Sequence, residues 1–297
     1  MIQSWEDDSQ MSIITIPTVY YRQYDTDPAL DVPAEGFGGW AKANLEFDLE
    51  RSAILVMHAA DCGTREQSPG RYRSVEYLPR SNRIAETVFP KLLGGVRKAG
   101  IRVFHLPFPG NYYQQLPGYR LAQEIAEQDQ RDALGISGAE NQSSTGTRRL
   151  ASGSPESVRA RLQRFKRDHV FPGKHNAEAN AVSPAPRFYA QAEPLPDEPI
   201  VENDRDLFAV CQHFGIEHLV YIGFAIDGCL LTSPGGMLDM SRRGILCSAI
   251  REAVTAIETK ETARTETAKE IALWRVAISF GFVYEVDDFL QAISAVR

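Results

Sequence analysis

Cysteine is scarce in this 297-residue chain. The four thiols, Cys62, Cys211, Cys229 and Cys247, lie far apart with no CxxC spacing, which excludes a disulfide framework and points to reduced thiols in a cytoplasm. A basic excess is also missing. The formal charge is -7 and the pI about 5.5, so the chain lacks the basic face that a general nucleic-acid binder needs to displace counterions from phosphate. No apolar run approaches the length of a membrane span, and the acidic start Met1-Ile-Gln-Ser-Trp-Glu-Asp-Asp8 has neither the basic residues nor the apolar core of a signal peptide. These absences lead to the expectation of a cytoplasmic protein with no nucleic-acid or membrane partner; the small-molecule substrate expected of it rests on the resemblance described below.

What is present is an alternation of strands and helices. The run Ser52-Ala-Ile-Leu-Val-Met57 is continuously apolar, as a parallel strand covered on both faces must be. A helix over residues 80–98 follows, with Ile84, Val88, Leu92 and Val96 near a spacing of four and a stop at Gly100. The next strand is Ile101-Arg-Val-Phe-His-Leu106, which completes a right-handed βαβ unit. Further strands are predicted over 198–201, 216–223, 244–248 and 280–286, with helices over 206–214, 237–243 and 261–278. Residues 13–24 read as a strand interrupted by Pro17, the pattern of an edge strand or an arm, so residues 1–50 are expected to form an N-terminal arm. Between 107 and 198 the periodicity fades into Gly, Ser, Asn, Gln and Pro. An insertion with mobile parts is expected there, containing one basic helix from Ser154 to about Val170. The whole, 1–297, reads as one α/β domain, a three-layer α/β/α sandwich around a mostly parallel, Rossmann-like sheet of about six strands.

The chemistry concentrates at Gly223-Phe-Ala-Ile-Asp-Gly-Cys229, directly after the apolar run His218-Leu-Val-Tyr-Ile222. A cysteine is thereby placed at the carboxyl end of a buried strand, where open α/β sheets put their ligands. The helix expected from Leu230 would bring N–H donors near the thiol and favour the thiolate. A buried, inert thiol is the competing reading of these residues alone.

Several segments together resemble the isochorismatase-like cysteine hydrolases, a superfamily that includes nicotinamidases and carbamoyl-group amidases. The resemblance runs over most of 50–297 apart from the insertion. It rests on the strand 52–57, on Lys91-Leu-Leu-Gly-Gly-Val-Arg-Lys-Ala-Gly-Ile-Arg-Val-Phe104, on Pro199-Ile-Val-Glu-Asn-Asp-Arg-Asp-Leu-Phe208, and most specifically on the nucleophile turn Gly-x-Ala-x-Asp-x-Cys ending at Cys229. The family triad is Asp, Lys and Cys. Here the aspartate position holds His58 and the lysine position Glu202, so an acid is replaced by a base and a cation by a carboxylate.

With this resemblance, Cys229, His58 and Glu202 form a candidate altered triad. Either His58 takes the thiol proton and Glu202 orients it, or Glu202 is the base and a protonated His58 the cation. The resemblance further implies an oxyanion hole at the N–H groups of Ala225 and Cys229, a cis peptide bond between Phe224 and Ala225, and a homo-oligomer, dimer or tetramer. The expected activity is hydrolysis of an amide or related C–N bond through a Cys229 thioester. The alternative is a catalytically inactive protein of the same fold that binds a ligand or regulates.

Asp61, His105, Phe108, Tyr112, Tyr113 and Phe224 are candidates to line the pocket. The stretch from His105 to Tyr113 stands where family nicotinamidases begin a metal-binding Asp-x-His segment, yet it lacks the aspartate and the further histidines. No metal and no cofactor are therefore implied.

Overall fold

The computed structural model describes residues 13–24, 26–134, 158–170, 173–174, 176 and 184–295. In chain order the main elements are β1 (Ile13–Arg22), β2 (Gly39–Asp48), β3 (Ser52–Met57), β4 (Ala60–Asp61), α1 (Pro69–Ser74), α2 (Leu78–Thr87), α3 (Phe89–Lys98), β5 (Arg102–Leu106), α4 (Pro117–Leu134) and α5 (Val158–His169). After these come β6 (Arg187–Phe188), α6 (Asp204–Phe214), β7 (His218–Phe224), α7 (Cys229–Thr232), α8 (Met237–Arg242), β8 (Leu246–Thr255), α9 (Thr267–Ser279), β9 (Val283–Tyr284) and α10 (Val286–Ser294). Seven strands, rather than about six, form the central sheet in the order β2-β1-β9-β8-β7-β3-β5. The five from β5 to β9 run parallel, and β1 and β2 add an antiparallel ribbon.

The continuous apolar runs are explained by two cores, one on each face. Leu55, Met57, Phe104, Leu106, Leu219 and Tyr221 pack on one side. Ile54, Val56, Val103, Val220 and Ile222 pack on the other, as the two-residue alternation of strands requires. Phe89, Leu92, Leu93 and Val96 of α3 close the second face.

Several expectations are corrected. The single helix over 80–98 is two helices that meet at Val88, because Pro90 has no N–H to give to a continuous helix and is accommodated only in the first turn of α3. The strand at 13–24 is not at the edge. It lies between β2 and β9, and Pro17 is tolerated because the short β9 reaches only Thr18 and Val19. The stretch after Pro107 contains an 18-residue helix, α4, which buries Ala122, Ile125 and Ala126 in the core beside α6. Strand β8 runs on to Thr255, whereas β9 is only two residues long and gives way to α10. The helix expected over 261–278 begins at Thr267, where the Glu258 carboxylate accepts the Ala268 and Lys269 N–H groups at 3.0 Å each. Residues 198–201 give a single bridge, Ile200 to His105, instead of a full strand. The basic helix α5 is observed over 158–169, and its expected start at Ser154 lies outside the described residues.

The centre of the sheet is drawn tight at Gly223. This residue has φ +122° and pairs with Met57, and a Cβ placed on it would stand 1.9 Å from the Met57 carbonyl oxygen. Only glycine allows β7 to lie this close to β3. A Gly223→Ala substitution is expected to cost roughly 3 kcal/mol or more in urea denaturation. Gly94→Ala, on an exposed turn of α3 with nothing within 4 Å, should be neutral or stabilising by up to about 1 kcal/mol.

Candidate active site at the carboxyl edge of the sheet

Past the end of β7 the chain makes a compact turn. The peptide bond between Phe224 and Ala225 is cis, as the resemblance implied. The Ala225 carbonyl accepts the N–H groups of Gly228 (3.3 Å) and Leu230 (3.1 Å), and the Ile226 N–H donates to Thr255 (2.8 Å). Asp227 accepts the Ile257 N–H at 2.9 Å, which ties the turn to the end of β8. Half-buried Cys229 is then the first residue of α7. Neither its N–H nor that of Ala225 donates any of the described hydrogen bonds.

His58 stands just past β3, the strand paired with β7. Its φ of +52° is unusual for a residue with a side chain, and the local path is held by its N–H to Leu106 (2.8 Å) and by the Ala60 N–H to its carbonyl (3.0 Å). Burial lowers the imidazole pKa to about 4, so the ring is neutral at pH 7. Its Nδ1 is buried without a hydrogen-bond partner, and its ring packs edge-on against Phe108 at 5.9 Å.

Glu202 has different partners from those expected. Tyr113 donates to one carboxylate oxygen (2.8 Å) and Tyr119 to the other (3.3 Å). Burial and the adjoining carboxylate push the Tyr113 hydroxyl up to about 12, so it stays protonated as a donor. None of the described hydrogen bonds joins Cys229, His58 and Glu202 to one another. The structure thus gives Glu202 two tyrosines in place of the imidazole.

The remaining candidates divide between wall and frame. Phe108, 42% exposed, forms a wall beside His58, and Tyr112 packs at 5.1 Å from both Tyr113 and Phe188. Asp61 is frame: it accepts the Gly63 N–H at 2.8 Å and pairs with Arg187 at 2.7 Å, joining β4 to β6. His105 is not a pocket residue. It is fully buried and donates to Glu198 at 2.8 Å, and Glu198 also takes Arg97 through two bonds of 2.7 and 2.9 Å. Burial would raise the Glu198 pKa, but the His105 and Arg97 hydrogen bonds outweigh it and hold the carboxyl down at about 2. Phe224 is core as well, 2% exposed and stacked on Phe89 at 5.8 Å. Cys211 and Cys247 are fully buried, and burial pushes both thiols up.

The sequence reading passed over Tyr77, whose ring lies 6.5 Å from Phe224. Burial is the main cause that pushes its hydroxyl up to about 12, with smaller contributions from Cys229 and Cys62. The available signal was Pro69 and Pro79, which open α1 and α2 across this edge of the sheet. Among the described residues, no group of three His, Cys, Asp or Glu side chains is placed to hold a metal ion.

No protein-family model matches the sequence, and no curated protein does. Solved structures do. A cysteine hydrolase from Pseudomonas syringae is 15% identical, with 84% of this chain and 96% of that one covered at a TM-score of 0.46. An isochorismatase-like hydrolase from Alkaliphilus metalliredigens is 18% identical over 81% of this chain and 98% of that one, at 0.43. A nicotinamidase from Acinetobacter baumanii is 15% identical over 81% and 98%, at 0.40. The structures found are isochorismatase-like cysteine hydrolases and nicotinamidases.

The buried histidines have a consequence for acid stability. His58 and His218 are both lowered from 6.5 to about 4 by burial, so between these values the unfolded chain binds protons that the folded chain does not. Stability from both is present above pH 6.5 and is lost as pH falls toward 4, with a slope approaching about 1.4 kcal/mol per pH unit for each. Urea denaturation between pH 7 and 5 should show this fall, and His58→Gln should make the slope shallower by up to about 1.4 kcal/mol per pH unit, with the buried His218 and His105 keeping their own contributions.

Proposed function

We propose that the protein is a cysteine hydrolase that cleaves an amide or related C–N bond through a covalent thioester at Cys229. His58 takes the thiol proton, and the Cys229 sulfur attacks the substrate carbonyl carbon. The N–H groups of Ala225 and Cys229 receive the oxyanion. Collapse of the tetrahedral intermediate breaks the C–N bond, and His58 returns the proton to the leaving amine. Water, deprotonated by the same imidazole, then hydrolyses the thioester and frees the acid. Glu202, with Tyr113 and Tyr119, forms the polar side of the pocket instead of orienting His58. No cofactor enters the scheme.

The observation that carries this reading is the state of His58. A general base must be unprotonated at working pH, and here burial keeps the imidazole neutral with a partnerless Nδ1 at the end of the strand beside the Cys229 turn. A second reading, a ligand-binding protein without turnover, is favoured by one observation: no described hydrogen bond reaches the Cys229 sulfur from His58 or Glu202.

Mass detection of acyl-Cys229 during incubation with an amide and ester panel separates the two. A hydrolase should show the acyl adduct, and His58→Ala should slow its formation by roughly 10²-fold or more, the ordinary contribution of a general base. The pH dependence of Cys229 alkylation should shift in that variant. An ordinary thiol titration near 8.5 in both proteins, with no adduct, would establish the binding reading.

A further inference from the structure

Helix α5 carries its apolar side outward. Val158, Leu162 and Phe165 are 61%, 61% and 59% exposed, and no residue of the helix is buried. Of its twelve residues only Ala160 and Asp168 are partly covered, and at about 100° per residue Ala160 lies opposite the apolar three. A helix that packs on its own domain does the reverse and turns its apolar stripe to the core. Twelve residues are also too few to hold a helix firmly in water without packing, so the exposed stripe is the part of α5 that a partner would complete.

The pattern of the stripe narrows what that partner is. Val158, Leu162, Phe165 and His169 follow at steps of four, three and four, the alternating d and a positions of a heptad, and the rings of Phe165 and His169 lie 4.6 Å apart. Together the four span an arc of about 60°, the narrow seam of a coiled coil rather than the wider face of a helix that packs on a domain core. The seam is bordered mainly by charge of one sign. Arg159 and Lys166 stand at e positions on one side, and Arg161 stands with Asp168 at g positions on the other. Five basic residues stand against one acid in α5, within a chain of net charge -7, and among the described residues only Arg167 of the five forms an ion pair, to Asp168 at 3.2 Å.

We propose that α5 is a docking helix for an acidic amphipathic helix of another protein, one with apolar residues at its own a and d positions and glutamate or aspartate at e and g. In a paired seam the e and g residues of the two helices face one another, so Arg159, Arg161 and Lys166 call for carboxylates across from them. A second copy of α5 does not supply these. Parallel pairing would set Arg161 against Lys166, and antiparallel pairing would set Arg159 against Lys166, with only Arg161 against Asp168 to offset it. The docking helix does not depend on the chemistry at Cys229.

A designed peptide tests the seam on the full-length protein. The probe is a fluorescently labelled peptide of about three heptads with leucine at a and d and glutamate at e and g, and its control carries lysine at e and g. Anisotropy titration in about 0.1 M salt should show the glutamate peptide bound roughly tenfold more tightly than the lysine peptide, with the preference shrinking as salt is added. Joint Leu162→Ser and Phe165→Ser substitution should weaken binding of the glutamate peptide by about tenfold or more. Joint Arg161→Glu and Lys166→Glu substitution should reverse the preference, so that the lysine peptide binds more tightly. Because α5 buries no residue, both variants should keep the urea midpoint of the wild type. Equal binding of the two peptides, or binding unchanged in either variant, overturns the proposal. A wild type that binds neither peptide overturns it as well. Co-sedimentation with phosphatidylserine and phosphatidylcholine vesicles would then assign the stripe to a lipid surface, and an oligomer dissociated by the Leu162→Ser and Phe165→Ser pair would assign it to a second copy.

Discussion

The close approach of β7 to β3 at Gly223 is the constraint from which the rest of the site hangs. Because the Met57 carbonyl lies where a side chain would be, the two strands end together, and the residues that leave them emerge side by side. His58 leaves one and the turn to Cys229 leaves the other. The turn is in addition braced from β8 by the Ile226 and Ile257 N–H groups, so its path is set from both neighbouring strands. A parallel sheet buried on both faces provides the rigidity that such placement needs.

Much of this was legible in the chain. Continuous apolar runs announced β3, β5 and β7, and the glycine-flanked cysteine after His218-Leu-Val-Tyr-Ile222 announced the turn that follows β7. Other parts were hidden for physical reasons. Helix α4 buries alanines, Ala122 and Ala126, whose small side chains give little apolar contrast against Gln123, Glu124 and Glu127. The break at Pro90 was masked because α2 and α3 both turn apolar residues to the same core, so the spacing of four persists across it. The partners of Glu202 could not be read at all. Tyr113 and Tyr119 reach it only after the chain has gone out and returned, and no local pattern records a contact across 83 or 89 residues.

The polar groups of this edge divide into satisfied and unsatisfied ones, and the division is informative. Asp61, Asp227, Glu198 and Glu202 all have partners and serve to hold loops together. Among the described residues, His58 Nδ1, Ser68 Oγ, Arg71 Nη1, His105 Nδ1, Tyr112 Oη and Gln123 Nε2 are buried without a hydrogen bond. Buried polar atoms in folded proteins are generally paired, so the unpaired His58 Nδ1 just past β3 stands out as a group that the fold does not use for its own stability. The edge brings a neutral imidazole at the end of β3 beside a half-buried thiol at the end of the β7 turn.

The fastening of Glu198 by His105 and Arg97 has a consequence for how this fold can vary. His105 gives its N–H to Pro199 at 2.8 Å, and its carbonyl accepts the Val201 N–H at 2.9 Å, so the chain on either side of residues 107–198 is joined at the foot. A long excursion whose two ends are clasped in this way is thermodynamically a closed loop, and the entropy of closing a loop grows only with the logarithm of its length. Within it α4 is fixed by its core alanines, Tyr113 and Tyr119 by Glu202, and β6 by Asp61, so only the length between α4 and β6 can change at small closure cost. The clasp, with α4 and β6, is a constant socket from which a stretch of variable length can be hung.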